Sequence, residues 1–257
     1  MTGELASGGL GVTATGPPDA PAIVFVHGTR LTRAVWAPQH AGLSDQFRTI
    51  ALDLPGHGAR AAEPFSLDGA ADLLAATIRD QAAGGRAVVV GLSLGGYVAM
   101  VLAARHPERV RGLVLAGATA EPIGIRSVVY RALAEALVRI DGPALIRLSA
   151  WYFRTFYPEA IAEPIVAGGF WLQGGSTALH ALRGQRFAPR LAAYPGPTLI
   201  PNGQWDLLFR LSAPTFAAAA GDARRVRLAG ALHLTNLDRP MAFNRAVRDF
   251  AGSLEPG

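Results

Sequence analysis

The segment Ala87-Val88-Val89-Val90-Gly91-Leu92-Ser93-Leu94-Gly95-Gly96-Tyr97-Val98-Ala99-Met100 constrains this chain more than any other. Three consecutive valines suit a strand covered on both faces, and the run from Leu94 to Ala104 is rich in helix formers without a proline. Between them, Gly91, Gly95 and Gly96 stand where a sharp strand-to-helix reversal would crowd any Cβ. Ser93 then occupies the corner, in the pattern G-x-S-x-G, with its hydroxyl above the sheet edge and a helix N-terminus beneath it. Such a corner exposes a nucleophile.

Three further features accompany it: a strand running into Val26-His27-Gly28, an acid at Asp206 and a histidine at His233. The order is Ser, Asp, His, which differs from the orders in the chymotrypsin-like and subtilisin-like proteases. Together with Asp53-Leu54-Pro55-Gly56-His57-Gly58, Asn202-Gly203-Gln204-Trp205-Asp206 and Gly230-Ala231-Leu232-His233, these segments resemble the signatures of the α/β-hydrolase superfamily. The likeness covers nearly the whole chain. It implies an α/β fold, a mainly parallel sheet with helices on both faces and an inserted helical cap.

The chain's own patterning agrees on the alternation of elements. Strands are expected at Ala22 to Val26, Phe47 to Leu52, Val110 to Ala116, Thr198 to Ile200 and Val226 to Leu228. Helices are expected at Arg33 to Leu43, Asp68 to Gln81 with Ser66 or Asp68 as N-cap, and Pro240 to Phe250. From Ala118 to Tyr194 the βα rhythm breaks into helical patterns, separated by Pro158, Pro164, Gly168-Gly169 and Gly174-Gly175. The expected division is therefore a core of residues 1–117 and 195–257 and a cap of residues 118–194.

A serine hydroxyl needs a base within hydrogen-bond reach and a carboxylate to orient that base. Ser93, His233 and Asp206 are the expected nucleophile, base and acid. Glu121 is the rival acid and His57 the rival base, although His57 and His27 read more simply as loop-bracing residues. The oxyanion of a tetrahedral intermediate would be met by the backbone N–H groups of Leu94 and Thr29. Arg30, next along, is either solvated or placed to favour an anionic substrate group. Trp36, Trp151, Phe153 and Trp171 are candidates to line an apolar pocket, with core packing as the alternative for most of the cap aromatics. Leu232 stands where the family often has glycine before the histidine.

Ser93 disfavours the family branches with an aspartate nucleophile, the dehalogenases and epoxide hydrolases. The lack of lysine disfavours the plant-type hydroxynitrile lyases. His27-Gly28-Thr29-Arg30 lacks the glycine run of the triple-glycine lipases. The expected function is hydrolysis of a small, mainly apolar or aromatic carboxylic ester or related acyl compound through an acyl-enzyme. Carbon–carbon bond or thioester hydrolysis, perhydrolysis and acyl transfer use the same triad. A non-catalytic binding protein is the reading of a different class.

Composition narrows the field. With 50% hydrophobic and 17% charged residues in 257, the chain is globular. All 24 basic residues are arginine and they are scattered, so the net charge of +5 points to coding bias rather than to nucleic acid. No cysteine is present, and the six dispersed histidines form no metal-ligand spacing, so neither metal nor cofactor is expected. The uncharged run from Ala87 to Ala104 carries three glycines and a strand-to-helix switch, against a membrane span. Met1 to Leu5 shows no secretory pattern, which leaves a cytoplasmic monomer or homodimer as the expectation.

Overall fold

The computed structural model describes residues 10–140 and 142–254; Met1 to Leu5 therefore lie outside the described residues. Seven strands form one sheet: β1 (Val12–Thr15), β2 (Ala22–Val26), β3 (Arg48–Leu52), β4 (Ala87–Leu92), β5 (Val110–Ala116), β6 (Pro197–Gly203) and β7 (Asp222–Leu228). Their spatial order is β1-β3-β2-β4-β5-β6-β7. β1 is antiparallel to β3 and all other pairs are parallel.

The central parallel strands β2 and β4 are buried along their whole length and hydrophobic because both faces are covered. Along β2, Val24 and Val26 enter one apolar layer while Ile23 and Phe25 enter the other. In β4, Val89 faces the first layer and Val88 and Val90 the second. The first layer is filled by α2 (Leu67–Gln81) and α3 (Leu94–Arg105), and the Ser66 hydroxyl caps α2 by accepting the Gly69 N–H at 3.0 Å. The second layer holds α1 (Ala37–Leu43), preceded by a 3₁₀ turn at Arg33–Trp36, and α11 (Pro240–Ser253).

Among the described residues, five helices and no strand lie between β5 and β6: α4 (Ile125–Arg139), α5 (Gly142–Phe156), α6 (Glu159–Gly168), α7 (Leu172–Leu182) and α8 (Ala188–Ala192). Pro164 sits inside α6 and Gly174-Gly175 inside α7, where the sequence suggested breaks. The glycines permit close approach instead, since a Cβ on Gly174 would stand 2.0 Å from the Gly56 carbonyl oxygen. After β6 come α9 (Leu207–Ala219) and, beyond β7, the short α10 (Thr235–Asp238).

Parallel pairing sets Val26 beside Gly91 and Gly91 beside Leu115, so the loops that follow β2, β4 and β5 meet at one edge of the sheet. Ligands of open α/β sheets bind at this carboxyl edge. Among the described residues, no helix is long and apolar enough to cross a membrane.

Candidate active site

Ser93 is the single residue between β4 and α3, and it has φ +52° and ψ −115°. A non-glycine residue held there stores on the order of 1–3 kcal/mol of backbone strain. Its N–H donates to the Ala116 carbonyl at 2.7 Å, and its own carbonyl accepts the Gly96 N–H at 2.9 Å. The flanking glycines are sterically required. A Cβ on Gly91 would stand 2.4 Å from Gly95 O, one on Gly95 2.1 Å from Val26 O, and one on Gly96 2.3 Å from Ala118 Cβ. Leu94 opens α3, so its N–H is among those the helix leaves without an internal acceptor.

His233 and Asp206 arrive from the loops after β7 and β6. Asp206 Oδ2 lies 2.8 Å from His233 Nδ1, which orients the imidazole with Nε2 left over. Asp206 is almost fully buried, whereas His233 is partly open. Phe209, on the first turn of α9, stacks on the His233 ring with centroids 5.0 Å apart. On the other side Gly117, with φ +57°, leaves so little room that a Cβ would lie 2.6 Å from His233 Cε1. Asn202 fixes that loop by accepting the Gly117 N–H at 3.3 Å and donating to Thr119 Oγ1 at 3.2 Å. Sequence reasoning missed Gly117 and Phe209; the one available signal was a glycine directly after a buried strand.

Asp238 holds the histidine loop from below. Its carboxylate accepts the Leu232 N–H and the Tyr157 hydroxyl, both at 2.7 Å. Burial and the neighbouring Asp238 raise the Tyr157 pKa, keeping the phenol a donor. Leu232 is exposed, so its side chain takes no part in the loop's packing.

His27 and His57 brace the opposite wall. His27 Nδ1 donates to Gly28 O at 2.9 Å while Nε2 accepts the Leu54 N–H at 2.9 Å. Burial, helped by the neighbouring His57, pushes the His27 pKa down to about 3, and burial lowers that of His57 as well. His57 Nε2 accepts the Arg30 N–H at 3.3 Å and Nδ1 donates to Pro55 O at 3.0 Å. Neutral imidazoles thus hold the Thr29-Arg30 loop. Buried Asp53 pins the adjacent turn, accepting the Arg33 and Ala59 N–H groups and pairing with the Arg33 guanidinium.

A cavity of about 750 Å³ joins these parts. Ser93, His233 and Thr29 line it, with Trp151, Phe153 and Tyr152 from α5 and leucines from α4 and α5. Two of the expected pocket aromatics lie elsewhere. Trp36 is fully buried, stacked on Phe25 at 4.8 Å and packed near Phe243, because its 3₁₀ turn faces the second apolar layer. Trp171 lines two other cavities, of about 610 and 840 Å³, its indole N–H donating to Gly168 O at 3.0 Å. Glu121 is likewise committed away from the histidine: its carboxylate accepts the Phe187 and Ala188 N–H groups, each at 2.8 Å, at the start of α8. Among the described residues, no group of three or more His, Asp or Glu side chains is arranged to hold a metal ion.

A mainly parallel sheet flanked by helices presents a serine on a strained strand-to-helix corner, with a histidine–aspartate pair at the same edge. Residues 23–246 match the alpha/beta hydrolase family, and the chain belongs to it. It is similar to 3-oxoadipate enol-lactonase 2 of Acinetobacter baylyi, with 27% identity over 90% of this chain and 89% of that protein. It is also similar to the pimeloyl-[acyl-carrier protein] methyl ester esterase of Edwardsiella ictaluri, with 32% identity over 89% and 92%. Among solved structures, the enol-lactonase from Burkholderia xenovorans LB400 superposes with a TM-score of 0.75 at 26% identity, over 94% of this chain and 96% of that one. The protein is an enzyme of the esterase type within this family.

Proposed function

We propose that the protein is a serine hydrolase that cleaves a small, mainly apolar carboxylic ester or lactone through an acyl-enzyme, using Ser93, His233 and Asp206. The observation that carries this reading is the Asp206–His233 hydrogen bond at the cavity that Ser93 enters on a strained corner. His233 Nε2 takes the Ser93 hydroxyl proton as Oγ attacks the carbonyl carbon, and Asp206 supports the imidazolium that forms. The negative charge on the carbonyl oxygen is met by the Leu94 N–H at the N-terminus of α3 and by the Thr29 N–H. His233 returns the proton to the leaving oxygen. Water, activated by the same histidine, then releases the acid from Ser93.

The apolar cavity wall supports the substrate class, because Leu133, Leu137, Leu148, Trp151 and Phe153 offer hydrocarbon and aromatic surface to an acyl chain. The helices of residues 118–194 act in this reading as a cap over the serine. Enol-lactones and methyl esters, named for the relatives above, share one requirement, an acyl carbon open to attack by oxygen. Hydrolysis of phenyl esters by the wild type, with complete loss in a folded Ser93→Ala protein of unchanged circular dichroism, is the expected result; turnover by that variant at the wild-type rate contradicts it.

A further inference from the structure

Among the described residues, Arg30 is the one Arg, Lys, Asp or Glu side chain lining the 750 Å³ cavity that holds Ser93 and His233. Among the described residues no carboxylate lies within salt-bridge distance of it, and the side-chain partner of its guanidinium is the Ser149 hydroxyl at 3.4 Å. Ser149 in turn donates to Leu145 O at 2.8 Å, so its oxygen is free to accept from the guanidinium. The Arg30 side chain is half-buried, with its Cγ against the close-packed Gly175 of α7. The rest of the cavity wall is dominated by leucine, isoleucine, alanine and aromatic rings.

Such a placement is costly unless the charge finds a partner. A guanidinium stays ionised in proteins, and removing it from water without a counter-charge is unfavourable. The backbone adds a second cost, because Arg30 has φ +66°, a left-handed conformation that favours glycine. Its main chain is fully used there: the N–H donates to His57 and the carbonyl accepts the Trp171 N–H at 2.9 Å. A glycine would serve those main-chain bonds with less strain. The long cationic side chain therefore needs its own reason to be at this position.

We propose that Arg30 binds a carboxylate of the substrate, so that the compound hydrolysed is an ester or lactone with an apolar body and a free carboxylate. This rests on the serine-hydrolase reading and names the substrate class for the same site. The planar guanidinium presents two parallel N–H donors to a carboxylate, a geometry that an ammonium lacks. The loop held by His27 and His57 would then carry both an oxyanion donor, the Thr29 N–H, and the anchor for the substrate's charged end. Arg30 is thus a specificity-determining residue, and the Ser149 hydroxyl is the acceptor that holds its guanidinium in the cavity.

The test is the ratio of kcat/KM for matched esters, since a ratio cancels any general damage to the loop. Phenyl half-esters of dicarboxylic acids with two to six methylenes are compared with phenyl esters of the corresponding monocarboxylic acids; acetate esters of hydroxy acids place the carboxylate on the alcohol side. The wild type should prefer the carboxylate-bearing member of at least one series by roughly 30-fold or more. Arg30→Met should bring that ratio close to one, and Arg30→Lys should restore part of it. A wild type that hydrolyses charged and neutral members alike, or an Arg30→Met variant that loses both by the same factor, overturns the assignment to Arg30 and leaves the hydrolase reading standing. A folded wild type that hydrolyses neither and does not react with a fluorophosphonate contradicts both.

Discussion

A methyl group at position 117 would lie 2.6 Å from His233 Cε1 and 2.9 Å from His233 Nδ1, closer than side chains normally pack. Gly117→Ala should therefore displace the imidazole, and with His233 as the proposed base a shift of this size is expected to lower kcat/KM by about 100-fold. Kinetics on the variant, with thermal melting as the control, checks this; full activity would mean that the loop yields without moving His233. Asp206→Asn keeps the shape but removes the charge that supports the imidazolium, so kcat should fall by roughly 10⁴-fold. Glu121→Ala makes the opposite prediction: it strips an acceptor from the Phe187 and Ala188 N–H groups, costing about 1 kcal/mol in stability, while turnover stays within a few-fold of wild type. At this scale the sequence was informative where sterics dictate one residue type. Three glycines around Ser93 could be read as a corner because each is needed for close approach. Phe209 could not be read as the ring under His233, since nothing in a helical leucine–phenylalanine pattern says which neighbour it stacks on.

Elements built on buried β-branched runs were legible, and those whose breakers are absorbed by packing were not. α6 contains Pro164, α9 contains Pro214 and α7 contains Gly174-Gly175, each a local signal to stop that tertiary contacts override. Most of β7 was hidden because Asp222 to Arg227 is an exposed, arginine-rich edge, without the apolar run of the central strands. The helical patterning of residues 118–194 was visible, yet sequence alone does not say which aromatics of α5 meet the cavity and which meet Phe170 and Tyr157. Trp36 is a consequence of the same limit. Its burial between Phe25 and Phe243 predicts that Trp36→Ala lowers stability by about 3–5 kcal/mol, a loss that denaturant titration would show; a pocket role would instead leave stability intact and change KM. The two bracing histidines give the loops a pH dependence. With folded pKa values depressed by burial, to about 3 for His27, the unfolded chain binds protons near pH 6.5 that the folded chain refuses. Stability is greatest above that pH and declines as acid is added toward pH 3. The melting temperature should fall across this range, and His27→Gln should flatten part of the slope; an unchanged slope would remove His27 from this account.

For the molecule as a whole, the strand order and the gathering of strand ends decide what the site can be. Ser93, Asp206 and His233 come from three separate loops; the parallel direction of β4, β5, β6 and β7 brings those loops to one edge, and the strand order sets which of them are neighbours. Their order along the chain suggested this arrangement, but spacing alone could not fix which strands are neighbours. The sheet, in turn, leaves the helices α4 and α5 to supply the apolar wall, and the loop after β2 to bring Thr29 and Arg30 to the cavity. The proposed chemistry requires Ser93 to be a nucleophile activated by His233. Intact-mass analysis after exposure to a small fluorophosphonate tests it most directly. One adduct is expected on the wild type and none on folded Ser93→Ala or His233→Ala proteins; an unlabelled wild type, or an adduct that persists on Ser93→Ala, would contradict activation of Ser93 by His233.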